Sequence, residues 1–106
     1  MTAYVIGQIE IHDCDGYQVY LDGFLETFTP FGGTVLATSF QEMTVLEGSW
    51  ATSRSVLLRF PARAAAQAWF DSAAYQDLAR IRRATAVANL VLLDGDPDGR
   101  AWTERA

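Results

Sequence analysis

Three residues stand out first for chemistry: Glu10, His12 and Arg59. Glu10 follows Gln8 at alternating spacing in the run Tyr4–Ile11, YVIGQIEI, and His12 continues the same alternation. A histidine at that position titrates near neutrality and suits a general base, whereas the plain alternative is a solvated side chain beside a helix cap. A glutamate in a cavity moves a proton, and an arginine facing it holds a carboxylate or enolate. If the strands carrying Glu10 and Arg59 are neighbours and share a face, the two meet; the alternative is a mutual ion pair or an edge pair in water. The neighbouring Cys14 becomes a reactive thiol only if a helix N-terminus lowers its pKa.

A second group supplies shape rather than proton transfer. Trp50 and Glu47 lie in the loop-like stretch Leu46-Glu47-Gly48-Ser49-Trp50, where packing explains an indole less readily than on a helix. Tyr17, Tyr20, Trp69 and Tyr75 could line an apolar pocket and offer hydroxyls to a carbonyl or phenol. Helical periodicity, however, assigns Trp69 and Tyr75 to core packing. Arg80, Arg82 and Arg83 form a short basic cluster that a helix face or a dimer salt bridge accounts for.

The elements that must position these residues follow from pattern. Val5, Ile9 and Ile11 face one way along the first strand, and Tyr4, Gln8 and Glu10 the other. Asp13 or Asp15 caps a helix with Tyr17, Leu21, Phe24, Phe28 and Phe31 on one face, ending at Thr29 or before Gly32-Gly33. TVLATSF and EMTVLEG predict one bent strand with a bulge near Phe40-Gln41. SVLLRF (Ser55–Phe60) is a strand, and Pro61 opens the first turn of the helix ARAAAQAWF. Ser72 caps a second helical piece in which Tyr75, Leu78, Ala79 and Ile81 or Arg82 follow helical spacing. NLVLLDG closes the pattern. Residues 1–95 thus form one domain, and 96–106 a flexible tail in which Trp102 is the only large apolar residue.

Strand, helix, strand, strand, helix, strand is an α+β arrangement, ferredoxin-like, with a four-stranded antiparallel sheet covered on one face by helices. The other face keeps apolar side chains, and a second copy of the chain is the expected cover.

Composition removes several classes of function. The 106 residues carry 13 acids against 8 arginines and no lysine, a net charge of −5, which disfavours nucleic acid and anionic membranes as partners. Without lysine there is no Schiff-base chemistry. One cysteine and one histidine build no zinc site within one chain, so no metal is expected. No phosphate loop, dinucleotide fingerprint or nucleophile-elbow serine occurs, and no cofactor is expected. With no signal-like start and no long apolar run, a cytoplasmic protein is expected.

Leu46-Glu47-Gly48-Ser49-Trp50, the strand ending Phe60-Pro61, Ala68-Trp69-Phe70-Asp71-Ser72, Tyr75-Gln76 and the AYVIGQIEI opening with Tyr17 and Tyr20 resemble the domain of unknown function 1330 family. That resemblance covers the chain nearly to Gly95. It departs in the loop, where Ala51-Thr52-Ser53-Arg54 follows Trp50 instead of Pro and a basic residue. The resemblance implies a dimeric α/β barrel with a central cavity and carries no catalytic set. Two readings stay open. One is a cofactor-free enzyme of proton-transfer, isomerase, cyclase or monooxygenase type acting on a small apolar or aromatic acid or enol. The other is a noncatalytic ligand-binding or accessory dimer.

Overall fold

A computed structural model describes residues 1–39, 43–50 and 53–100. Its order is β1 (Ala3–Ile11), α1 (Cys14–Phe28), a 3-10 turn (Thr29–Phe31), β2 (Thr34–Thr38), β3 (Arg54–Phe60), α2 (Arg63–Asp71), α3 (Ala73–Thr85) and β4 (Ala86–Asp94). The strands form one antiparallel sheet in the order β2-β3-β1-β4, as the ferredoxin-like plan requires.

Local chemistry sets most boundaries. Asp13 caps α1, its carboxylate accepting from the Gly16 amide at 3.1 Å. At the other end Pro30 sits in the 3-10 turn, and Gly32 takes a left-handed conformation (φ 79°) that an L side chain rarely adopts. Ser72 caps α3, its Oγ accepting from the Tyr75 amide at 3.2 Å. Pro61 lies outside α2, because Ala62 occupies the cap position and the chain enters the helix only at Arg63. β4 begins at Ala86, three residues ahead of the expected start, because pairing with β1 continues to Ile11 opposite Ala86.

The bent strand is corrected. β2 ends at Thr38, and residues 43–48 hold no strand, so EMTVLEG does not pair over its described part. The expected bulge at Phe40-Gln41 lies outside the described residues. An irregularity occurs earlier, where the β2–β3 register shifts between Val35 and Ala37. Trp102 also lies outside the described residues.

The core fills the space between one sheet face and the helices. Val5 and Ile9 of β1, Leu58 and Phe60 of β3, Tyr17, Tyr20 and Phe28 of α1, Trp69 of α2 and Tyr75 and Ala79 of α3 are all buried. Aromatic rings dominate it: Trp69 packs on Tyr75 at 4.2 Å and on Phe60 at 5.3 Å between centroids. The opposite sheet face carries no helix. Tyr4 and Gln8 are half-buried there, while Ile6, Val87, Val91 and Leu93 are exposed, Val87 at 65% and Val91 at 55%.

Candidate functional site

The cavity lies on the helix side of the sheet, opposite the face on which the sequence places it. A space of about 390 Å³ separates α1 and α3 from the strands. Val5, Ile9, Val56, Leu58 and Leu90 form its floor, and Tyr17, Tyr20, Phe24, Tyr75 and Arg82 its roof. Gly7 sits in the middle of that floor. A Cβ there would stand 2.8 Å from Leu90 Cδ2 and 2.9 Å from Val56 Cγ2, so the absent side chain is what lets those two residues lie as they do.

Arg82 is the chemical centre of this space. It shares the inner face of α3 with Tyr75 and Ala79 at i, i+4 and i+7 spacing, and that places a guanidinium inside with only 5% of the residue exposed. Its Nε is buried without a hydrogen-bond partner. Among the described residues the ion pairs are Arg63–Asp94 and Arg80–Asp77, and no carboxylate lies within 4.0 Å of Arg82. What faces Arg82 is aromatic: its Cζ stands 6.0 Å from the centroid of the Tyr20 ring. Burial disfavours the charge, but interaction with the hydroxyls of Tyr75 and Tyr20 outweighs it and holds the pKa above its ordinary value. The guanidinium is therefore a permanent buried cation.

Tyrosine hydroxyls complete the polar wall. Tyr20 Oη and Tyr75 Oη lie 2.8 Å apart, and a hydroxyl pair uses one of its two protons internally and leaves the other for an acceptor. Burial pushes the Tyr20 pKa far above the ordinary tyrosine range, with Tyr75 adding to the effect. Burial raises Tyr17 as well, partly offset by Arg54 and then by Arg82. Both phenols stay protonated at neutral pH, so they act as donors rather than bases. Arg54 joins the lining from the start of β3, its Nε donating to Thr38 Oγ1 at 3.2 Å.

The residues expected from sequence divide between two regions. Tyr17 and Tyr20 line the cavity. Glu10, His12 and Arg59 lie outside it. Arg59 does share the bare face with Glu10, but it stands opposite Tyr4, six residues along β1, and at about 3.4 Å per residue this puts the two about 20 Å apart. Register forbids the expected pair. His12 is exposed in the β1–α1 turn, which its amide ties to α3 by donating to the Thr85 carbonyl at 3.0 Å. Glu47 is exposed beside Gly48. Trp50 is half-exposed and donates through Nε1 to Ser55 Oγ at 3.0 Å, toward the bare face.

The sequence reading places Arg82 in a surface basic cluster and assigns Tyr75, a candidate pocket residue, to core packing. The spacing from Tyr75 leaves Ile81 or Arg82 for the inner face, and choosing the arginine would have exposed the site. A glycine inside an otherwise β-branched strand was the second available signal. No group of three or more metal-ligating side chains occurs among the described residues, nor does a helix long and apolar enough to cross a membrane.

The family profile of a domain of unknown function (DUF1330) matches residues 2–96. The chain belongs to that family. Among solved structures, a protein of unknown function from Rhodopseudomonas palustris (RPA0582) superposes with a TM-score of 0.74 at 16% identity, covering 90% of this chain and 82% of that one. SnoaB, a cofactor-independent oxygenase from Streptomyces nogalater, gives 0.64 at 11% identity over 90% of this chain and 93% of its own. A dimeric ferredoxin-like protein of unknown function from Jannaschia sp. CCS1 gives 0.65 at 14% identity over 90% and 100%. No curated protein matches the chain. At these identities the structural likeness speaks for the fold.

Proposed function

We propose that this DUF1330 protein is a cofactor-free enzyme that binds a small aromatic or enolic anion in the cavity beneath α1 and α3. One observation carries the reading: Arg82 is a buried cation with an unpartnered Nε on the wall of an apolar cavity. The Tyr75 and Tyr20 hydroxyls keep the guanidinium charged, no described carboxylate neutralises it, and its Nε is left as a donor for an incoming anion. The volume suits a ligand of one or two rings.

Arg82 would hold the oxygen of an enol or phenol as its anion, and the free proton of the Tyr20–Tyr75 pair would donate to the same oxygen or its neighbour. Stabilising that oxyanion lowers the substrate's own pKa, so that its proton passes to solvent water, the step shared by enolisation, isomerisation and oxygenation of such compounds. The cofactor-independent chemistry of SnoaB, on a similar fold, is in keeping with this. The test is hydrogen–deuterium exchange of an enolisable aryl ketone such as 2-tetralone, followed by proton NMR in D₂O. Wild-type protein should accelerate exchange, and Arg82→Gln should lower that acceleration by about 10²–10³-fold, the usual effect of one oxyanion donor. Equal rates with both proteins would dismiss the reading.

A noncatalytic binding module is the second reading. Among the described residues that line the cavity there is no Asp, Glu or His to carry a proton away. Tight binding without exchange would select it.

The assembly proposed for both is a homodimer through the bare sheet face. The exposed Ile6, Val87, Val91 and Leu93 support it, as does the dimeric state of the Jannaschia protein and of a similar protein from Bacteroides fragilis.

A further inference from the structure

The cavity is a slot graded from polar to apolar along its length. At one level stand Arg82, Arg54, Tyr17 and Gln18, with both arginines close enough to Tyr17 to act on its ionisation. At the other stand Leu25 and Val35. Two independent rulers give the separation. Arg54 pairs with Ile9, whereas Val35 pairs with Leu58, which pairs with Val5; four strand residues span about 13 Å. On α1, seven residues from Gln18 to Leu25 rise about 10 Å.

The cavity is open along α1. Of the lining residues, Gln18 is exposed at the polar level, and at the other Leu25 is 60% exposed on α1 and Val35 is 40% exposed on edge strand β2, with Leu21 half-buried between the two levels. Single exposed leucines on a surface need no account, but these two rim one cavity at its apolar level. At the polar level Arg82 Nε is buried and unpartnered.

We propose that the ligand is an amphiphile, with a compact anionic oxygen head seated at Arg82 and an apolar arm of about 10 Å running along the slot to Leu25 and Val35. This rests on the reading of Arg82 as an anion site. The reverse orientation leaves the buried guanidinium and its Nε donor unmatched and sets an apolar arm against Arg82 and Arg54. In the stated orientation the arm removes the Leu21, Leu25 and Val35 side chains from water while the head meets the unpartnered donor.

The experiment is a calorimetric series of straight-chain carboxylates, hexanoate to dodecanoate, each below its micellar concentration. Burial of one methylene is worth about fourfold in affinity, so Kd should tighten by about fourfold per carbon to about decanoate and then level off as the chain clears the rim. Leu25→Asp and Val35→Asp, both at exposed positions, should leave hexanoate within about twofold and flatten the gain for longer acids. Arg82→Gln should weaken every member by the same factor and keep the slope. A flat series with wild-type protein, or a slope unchanged in both rim variants, would overturn the amphiphile. A slope that persists while Arg82→Gln changes nothing would overturn the anion site instead.

Discussion

Arg82 separates function from stability at a single position. Burial opposes its charge and the Tyr75 and Tyr20 hydroxyls favour it, so the two effects on the fold offset each other. Arg82→Met should therefore melt within a few degrees of wild type in ligand-free buffer while losing anion binding; a large drop in thermal stability would mark Arg82 as a structural residue instead. A clear loss is expected for Tyr20→Phe, which breaks the 2.8 Å hydroxyl pair and leaves Tyr75 with an unmet partner, at a cost of about 1–2 kcal/mol in chemical denaturation. The tyrosines also fix the alkaline limit. Tyr20 has a folded pKa above its unfolded one, so its contribution is complete below about pH 10 and is lost as unfolded tyrosine begins to ionise above that value. The unfolding free energy should be level through the neutral range on this account and fall above pH 10, by about 1.4 kcal/mol per pH unit for Tyr20 alone, as read by chemical denaturation at each pH.

At the scale of elements, the floor of the cavity depends on a strand position with no side chain. In Gly7→Ala the new Cβ meets the tip of Leu90 and the stiff, β-branched Val56, both of which line the cavity, so the crowding falls on the cavity floor. Affinity for any cavity ligand should fall while stability changes by only about 1 kcal/mol, as strand propensity offsets the crowding. Element identities were legible in the sequence because their signals are local: Asp13 and Ser72 cap where expected, and of the expected α1 face Tyr17 and Phe28 are buried while Leu21, Phe24 and Phe31 pack half-buried against the core. EMTVLEG misled because a β-branched pattern states a propensity and not a partner, and no strand pairs with its described part. The site was legible only in fragments. Tyr17 and Tyr20, candidate pocket residues in the sequence, line the helix-side cavity, whereas a cavity was expected on the polar sheet face because Glu10, His12 and Arg59 looked chemically richer than a helix interior. Their separation follows from β1–β3 register, which one strand's alternation does not encode.

The whole molecule presents two faces with separate roles. The helix side holds the cavity, and the bare side exposes Ile6, Val87, Val91 and Leu93, where the proposed second copy would dock. Val91→Asp, at a position 55% exposed in the single chain, should leave the fold intact by circular dichroism and convert a dimer to a monomer in sedimentation; an unchanged dimer would place the interface elsewhere. The Arg82 site lies on the other side of the sheet, so the central claim concerns each chain by itself. Its most direct test is calorimetric titration of wild-type protein and Arg82→Met with one small aromatic acid, 1-hydroxy-2-naphthoate. The account predicts one molecule bound per chain by wild type and at least a 30-fold weaker affinity in the variant. Equal affinities for the two proteins would contradict it.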